Sequence, residues 1–171
     1  MDKKVYDLLN EQINAEFYSA YLYLSFADYY EEEGLEGFAH WYEIQAQEER
    51  DHALVFRNYL HDNDCTVKLT AIAQPDKTFS NHLEPLEEGL KHEKFVTALI
   101  NKIYAAAHEA HDYRTMRFPD WFIEEQQEEE DTASTMITRM KLFGNDAKAL
   151  YDLDQENAAR TYTQAAPLAN A

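Results

Sequence analysis

Apolar residues recur every three or four positions along most of the chain, a period that predicts long helices. Between the second and third of these helices, residues 65–83 lack this period, and the alternation of Val67, Leu69 and Ile72 indicates an extended segment. A shorter helix is expected at about residues 146–162, followed by a tail over residues 163–171. The four long helices are expected at about residues 4–33, 36–62, 84–112 and 118–143.

The residues between the helices indicate how the helices are connected. Gly34 to Gly37 break the pattern over a short distance, and Pro85 and Pro119 stand at first-turn positions, where the missing N–H of proline costs nothing. Short links make the first pair and the last pair of helices antiparallel, while the long link can cross the length of a bundle. The sequence therefore predicts an all-α fold: a four-helix bundle with one long crossover and a short fifth C-terminal helix. A length of 171 residues indicates that residues 1–171 form a single domain.

The charge balance excludes some partners. The formal net charge of −18 would repel phosphate, so no nucleic acid is expected as a partner. The acidity suits metal cations, or it keeps the protein in solution or suits a salty cytoplasm. The single cysteine, Cys65, allows no disulfide framework, and the start of the chain has no apolar signal region. These features, with no membrane-length apolar run, predict a cytoplasmic protein.

Acidic residues interrupt the apolar stripe of each long helix near its middle. Glu16 does so in the first helix, Glu49 and His52 in the second and Glu93 in the third. In the fourth helix the interruption consists of Glu125, Gln126 and Glu129. Few basic residues lie in these stripes, and buried carboxylates without partners are costly, so shared protons or bound cations are required. Four carboxylates and one imidazole suit Fe, Mn or Zn.

Each interruption taken alone also has a purely structural interpretation. An acidic run such as residues 124–131 is usually a solvated helix face. Four helices interrupted at matching depth, one of them by Glu49-x-x-His52, favour a metal site instead. The remaining alternatives are a di-iron oxidase or peroxidase without storage, a metal-binding bundle without turnover, and a purely structural bundle.

These residues resemble the ferritin-like di-iron superfamily, whose bundles carry single Glu residues on two helices and Glu-x-x-His on the others. Glu16 and Glu93 match the single carboxylates, and Glu49 with His52 matches one Glu-x-x-His motif. The fourth helix offers Gln126-x-x-Glu129 with Thr132 where the second His would stand, and Arg50 stands where bacterioferritins carry their haem-ligating Met. The resemblance therefore points to non-haem ferritins of the bacterial type, with no haem expected.

The resemblance implies a role for each residue. One iron would lie between Glu16, Glu49 and His52, with Gln126 near it, and a second would be held by Glu93 and Glu129, with Glu49 bridging. Tyr23 matches the tyrosine that stands beside the di-iron centre and could supply an electron. The catalytic set is thus Glu16, Tyr23, Glu49, His52, Glu93, Gln126 and Glu129. A possible third, neighbouring iron would involve Glu48, Glu125, Glu128 and Glu129.

The implied function is iron storage with ferroxidase activity. Fe(II) would be oxidised by oxygen at the intra-subunit site, and Fe(III) would be stored as mineral inside a homo-oligomeric cage of 24 subunits. The implied partners are Fe(II) and oxygen, with no membrane and no nucleic acid.

Overall fold

The computed structural model describes residues 1–169, and all regular elements within this range are helices. The predicted all-α fold and the order of the long helices are confirmed. The predicted tail is not wholly irregular, because residues 166–169 form a short helix, and residues 170 and 171 lie outside the described residues. The helices are α1 (Lys3–Glu32), α2 (Glu36–Asp62), α3 (Glu84–Glu109), α4 (Tyr113–Arg117), α5 (Asp120–Phe143), α6 (Ala147–Asn157) and α7 (Ala166–Ala169).

Two helix ends lie three or more residues before the predicted positions. The third long helix was expected to reach Asp112 but ends at Glu109, and His111 follows with a left-handed φ of 55°. The carboxylate of Asp112 accepts a hydrogen bond from the Thr115 N–H and so begins the separate short helix α4. Helix α6 ends at Asn157, five residues before the expected Tyr162.

Helices α1 and α2 form one antiparallel hairpin, and α3 and α5 form the other. Residues 65–79 connect them without regular structure, as the sequence indicates, and side chains of α1 hold this crossover in place. Asn10 donates to the Lys68 carbonyl at 2.9 Å and accepts from the Lys68 N–H at 2.8 Å. Asn14 donates to the carbonyl of Ala71 at 3.0 Å. Asn10 thus replaces the backbone partner that a strand would have provided.

The apolar core consists of two clusters, one toward each end of the bundle. The first is built around Leu9, Ile13, Phe56, Ile100, Ile103 and Phe122. The second is built around Phe26, Tyr30, Phe38, Tyr42, Leu86 and Met140. A layer of buried polar side chains lies between them. Leu24 is an apolar residue at helical spacing from Ala20 and Ala27, which predicts a core position in α1. It is instead 44% exposed, because Leu22, Tyr23 and Phe26 occupy the buried face.

The docking of α6 onto the start of α2 depends on an acid and a glycine. The Asp154 carboxylate accepts hydrogen bonds from the backbone N–H groups of Gly37 and Phe38, at 2.8 and 3.0 Å. These donors have no partner within α2, so a residue of one helix caps another. A Cβ on Gly37 would lie 1.8 Å from the carbonyl oxygen of Asp154, so only glycine permits this approach.

None of the helices within residues 1–169 combines the length and apolar character needed to cross a lipid bilayer.

Candidate metal centre

The polar layer between the two core clusters contains the side chains that the sequence singles out. Each long helix contributes at least one of them, and all are at least nine-tenths buried. The interruptions of the four apolar stripes therefore do meet at one level of the bundle. The buried set is Glu16 from α1, Glu49 and His52 from α2, Glu93 from α3, and Gln126 and Glu129 from α5.

Glu16, Glu49 and His52 form a compact group of potential metal ligands. One ligand atom from each lies within 4.8 Å of the other two. Nδ1 of His52 is 3.5 Å from Oε2 of Glu49, a geometry that follows from their spacing of three residues on α2. Oε2 of Glu16 is buried and has no hydrogen-bond partner in the structure of residues 1–169. A buried carboxylate oxygen left unpaired in this way fits a position for a cation.

Glu93 and Glu129 lie on the other hairpin and are held by hydrogen bonds. Glu93 accepts from the Gln126 amide at 3.0 Å and from the phenol of Tyr23. Glu129 accepts from the Gln45 amide at 2.9 Å. Among residues 1–169, neither Glu93 nor Glu129 belongs to a group of three potential ligands as compact as Glu16, Glu49 and His52. Gln126, expected near the first iron, donates its hydrogen bonds to Glu93 and Thr97.

Two glutamines that support this layer were absent from the predicted site. Gln12 donates to Glu16 at 2.8 Å, and Gln45 donates to Glu49 at 3.1 Å. Both pairs have the same Gln-x-x-x-Glu spacing, which places the two side chains one helical turn apart. This repeated spacing was a signal in the sequence that could have revealed them.

Burial sets the protonation of the carboxylates. Desolvation, followed by the nearby Glu49 carboxylate, raises the pKa of Glu16 to about 8. The same two causes raise the pKa of Glu93 to about 8. Burial also raises the pKa of Glu49, with the Glu129 charge as the next cause. Without a cation the layer therefore retains protons at neutral pH, and a bound cation can replace them.

Tyr23 lies between the metal layer and the aromatic part of the second core cluster. Its ring packs edge-on against Phe26, with ring centres 5.5 Å apart, and contacts Tyr42 at 5.6 Å. Burial, then the Glu93 and Glu49 charges, raises the pKa of its phenol well above the usual value. Tyr23 is therefore a neutral phenol whose proton is directed at Glu93.

The acids expected at a third iron surround a neighbouring cavity of about 350 Å³. Glu48 and Glu125 are partly buried there, Glu128 is exposed, and Glu129 lies at the boundary with the buried layer. Oε1 of Glu125 is 4.0 Å from Nε2 of His52. Glu48 is paired with Arg160 at 2.5 Å, a contact that the sequence did not predict.

This arrangement, in a bundle with one long crossover, defines a protein of the ferritin-like class, whose members bind two metal ions between their helices. The family model described as Ferritin-like domain matches residues 6–143. Bacterial non-heme ferritins from Staphylococcus saprophyticus and Staphylococcus aureus are 38% and 35% identical to the chain; each alignment covers 96% of this chain, and 98% and 99% of those proteins.

Solved structures give the same result. A form of the Archaeoglobus fulgidus ferritin engineered to be closed is 39% identical, with a TM-score of 0.93 over 95% of this chain and 99% of that chain. The open-pore ferritin of the same archaeon is 38% identical, with a TM-score of 0.92 over 94% of this chain and 98% of that chain. The chain belongs to the ferritin family. The family, these similarities and the Glu16–Glu49–His52 group support iron storage with ferroxidase activity as its function.

Proposed function

We propose that the buried polar layer is the ferroxidase centre and that it binds two Fe(II) ions. Glu16, Glu49 and His52 would hold the first ion, and Glu93 and Glu129 the second, with Glu49 bridging. The observation that carries the proposal is the close approach of Glu16, Glu49 and His52 together with the unpaired oxygen of Glu16. Carboxylate oxygens and one imidazole are a suitable donor set for iron.

The protein side chains would prepare this centre before iron arrives. Gln12 and Gln45 each hold one oxygen of a ligand carboxylate by a hydrogen bond, which fixes the side-chain rotamers of Glu16 and Glu49. Gln126 does the same for Glu93. Entry of Fe(II) would release the protons that burial keeps on these carboxyl groups, and the resulting anionic donors favour the higher charge of Fe(III).

Tyr23 would act on the side of the second ion. Its phenol donates to Glu93, so a change in the charge of Glu93 is transmitted directly to the phenolic proton. A tyrosine in this position could supply an electron during the reduction of oxygen.

Storage requires a cage, so we propose that the chain assembles into a homo-oligomer of 24 subunits in the cytoplasm. Each subunit would consist of one bundle with one two-ion centre. A third iron at Glu48, Glu125, Glu128 and Glu129 would have to share Glu48 with Arg160.

An anaerobic Fe(II) titration of the metal-free protein, with a pulse of oxygen after each addition, tests the proposal. Absorbance and oxygen uptake are recorded together. We expect a fast phase that saturates near two irons per chain, followed by slow uptake far beyond that level. The fast phase should be lost in Glu49→Ala and retained in Glu43→Ala, which removes an exposed carboxylate from the same helix.

Other outcomes identify the alternatives. Oxygen uptake no faster than in buffer would leave a metal-binding or structural bundle. A fast phase without later mineral growth, in a protein that elutes as a small oligomer, would indicate a di-iron oxidase without storage.

A further inference from the structure

The segment between α6 and α7, residues 158–165, returns along α2 and covers one side of the bundle. We call it the C-terminal strap. It follows the part of the chain that the family model matches. Tyr162 donates to the buried carboxylate of Asp51 at 2.5 Å, and His40 contacts the Arg160 carbonyl at 3.0 Å. Contacts along its length therefore hold the strap against α2.

Arg160 is the most extensively bound side chain of the strap. Its guanidinium donates to the Trp41 carbonyl at 3.1 Å, to Oε1 of Gln45 at 2.9 Å and to Glu48 at 2.5 Å. Its Cζ atom lies 4.1 Å from the centre of the Trp41 ring. A planar guanidinium that is hydrogen-bonded to three acceptors and lies over an indole is held in one orientation.

The acidic cavity beside the ferroxidase centre is lined by both the strap and the acids of α2 and α5. Glu48, Glu125 and Glu128 contribute carboxylates, and among the described residues that line the cavity Arg160 is the only Arg or Lys. The side chains of Arg160 and Glu48 are 21% and 17% exposed, so water screens their attraction only partly. The chain itself thus places one positive charge beside this group of acids.

Arg160 is also connected to the buried layer by hydrogen bonds through Gln45. It fixes the carbonyl oxygen of Gln45, and the amide nitrogen of Gln45 then faces Glu49 and Glu129, at 3.1 and 2.9 Å. An amide rotated by half a turn would present its oxygen to both carboxylates, which is unfavourable. Arg160 therefore selects the orientation of Gln45 that suits two proposed iron ligands.

We propose that the Arg160 guanidinium is a tethered cation that takes the place of a third metal ion in the acidic cavity and positions Gln45. The inference rests on the proposed function, because the cavity adjoins the two-ion centre. In this chain the cavity does not bind a metal ion, and Glu48 is a partner of Arg160 and not an iron ligand.

The test uses Zn(II), which does not change oxidation state, and the assembled metal-free protein. Binding is counted by calorimetry, and anomalous scattering from zinc-soaked crystals locates the ions. We expect no zinc in the wild-type cavity. Arg160→Gln should bind about one more zinc per chain, placed between Glu48 and the acids of α5. Arg160→Lys, which keeps the charge, should give the wild-type count.

Matched variants separate this effect from a general loss of charge or structure. Arg139→Gln removes an exposed ion pair with Glu156 and should leave the count unchanged. Adding Glu48→Gln to Arg160→Gln should abolish the extra ion. Zinc in the wild-type cavity, with Arg160 displaced, would overturn the proposal, and so would an unchanged count in a folded Arg160→Gln protein.

Failure of the proposed function gives a different pattern. Glu49→Ala should lose the ions of the main centre but keep the extra ion in the Arg160→Gln background. If Glu49→Ala loses no zinc, the proposed two-ion centre is contradicted, whatever the zinc count of the Arg160→Gln protein.

Discussion

The phenol of Tyr23 donates a hydrogen bond to a carboxylate oxygen of Glu93, and both side chains are buried. The contact joins α1 to α3, and thus one helical hairpin to the other. It also gives Glu93, a proposed ligand of the second iron, a hydrogen-bond donor that is shielded from water. Loss of this hydroxyl alone leaves the ring packing intact, so its role can be tested separately from its bulk.

Tyr23→Phe should slow oxygen uptake while the number of bound Fe(II) ions stays the same. The free energy of unfolding of the metal-free protein should fall by about 1 kcal/mol, because Glu93 loses a donor. Stopped-flow absorbance and urea unfolding measure the two effects. Tyr30→Phe is the control: it also removes a buried hydroxyl, which donates to the His82 carbonyl at 2.7 Å, but far from the ligands. An oxidation rate equal to that of Tyr30→Phe would exclude Tyr23 from the reaction.

Stability of the metal-free protein should depend on pH through the buried carboxyl groups. Burial raises the pKa of Glu16 and Glu93 from 4.5 to about 8 in the fold. Between these values the unfolded chain binds fewer protons than the folded chain. The free energy of unfolding therefore falls as pH rises, by up to about 1.4 kcal/mol per pH unit for each group. This contribution is fully present below 4.5 and is lost as pH rises through about 8.

Urea unfolding across this range measures the slope. Glu16→Gln should have a shallower slope than the wild type, since its amide does not titrate. Glu11→Gln, which changes an exposed carboxylate on the same helix, should not differ from the wild type. Equal slopes in both variants would show that Glu16 is ionised in the metal-free fold. Bound metal should make the free energy of unfolding less dependent on pH, because it replaces the retained protons.

Gly37→Ala should release α6 from the start of α2. The added Cβ would meet the Asp154 backbone, and overpacking of this kind costs about 1–3 kcal/mol. Hydrogen exchange should become faster over residues 147–157 and along the C-terminal strap. Gly34→Ala is a useful comparison, because its φ of 75° makes it strained while no atom lies within 4 Å of the added Cβ. It should lower stability and leave exchange in α6 unchanged. Equal exchange in the two variants would contradict the capping role of Asp154.

The main features of the fold could be predicted because they depend on local patterns. The helical period, the early prolines and the lengths of the links are each visible within one segment of the sequence. The acids stood out because they contradicted the apolar pattern around them. The exposure of Leu24 was not foreseen, because Leu24 and Tyr23 are neighbours on α1 and both fit a helical period. Tyrosines supply much of the second core cluster, and which of two adjacent positions faces this cluster is decided only when the helices pack.

Arg160 could not be foreseen from the sequence. Its partner Glu48 lies 112 positions away, and the strap carries no periodic pattern that would place it on α2. The two acceptors of Gln45 become apparent only once α2 and α5 are side by side. The roles of the buried acids as iron ligands stay predictions, which the titrations above address.

The two helical hairpins divide the proposed site residues between them. Glu16, Glu49 and His52 belong to α1 and α2, whereas Glu93, Gln126 and Glu129 belong to α3 and α5. Neither hairpin alone contains both halves, so the proposed two-ion centre would form only after the hairpins have docked in register. A chain that has folded only in part would hold half a centre and could not carry out paired oxidation. With such a centre, iron oxidation would be confined to subunits whose two hairpins have docked correctly.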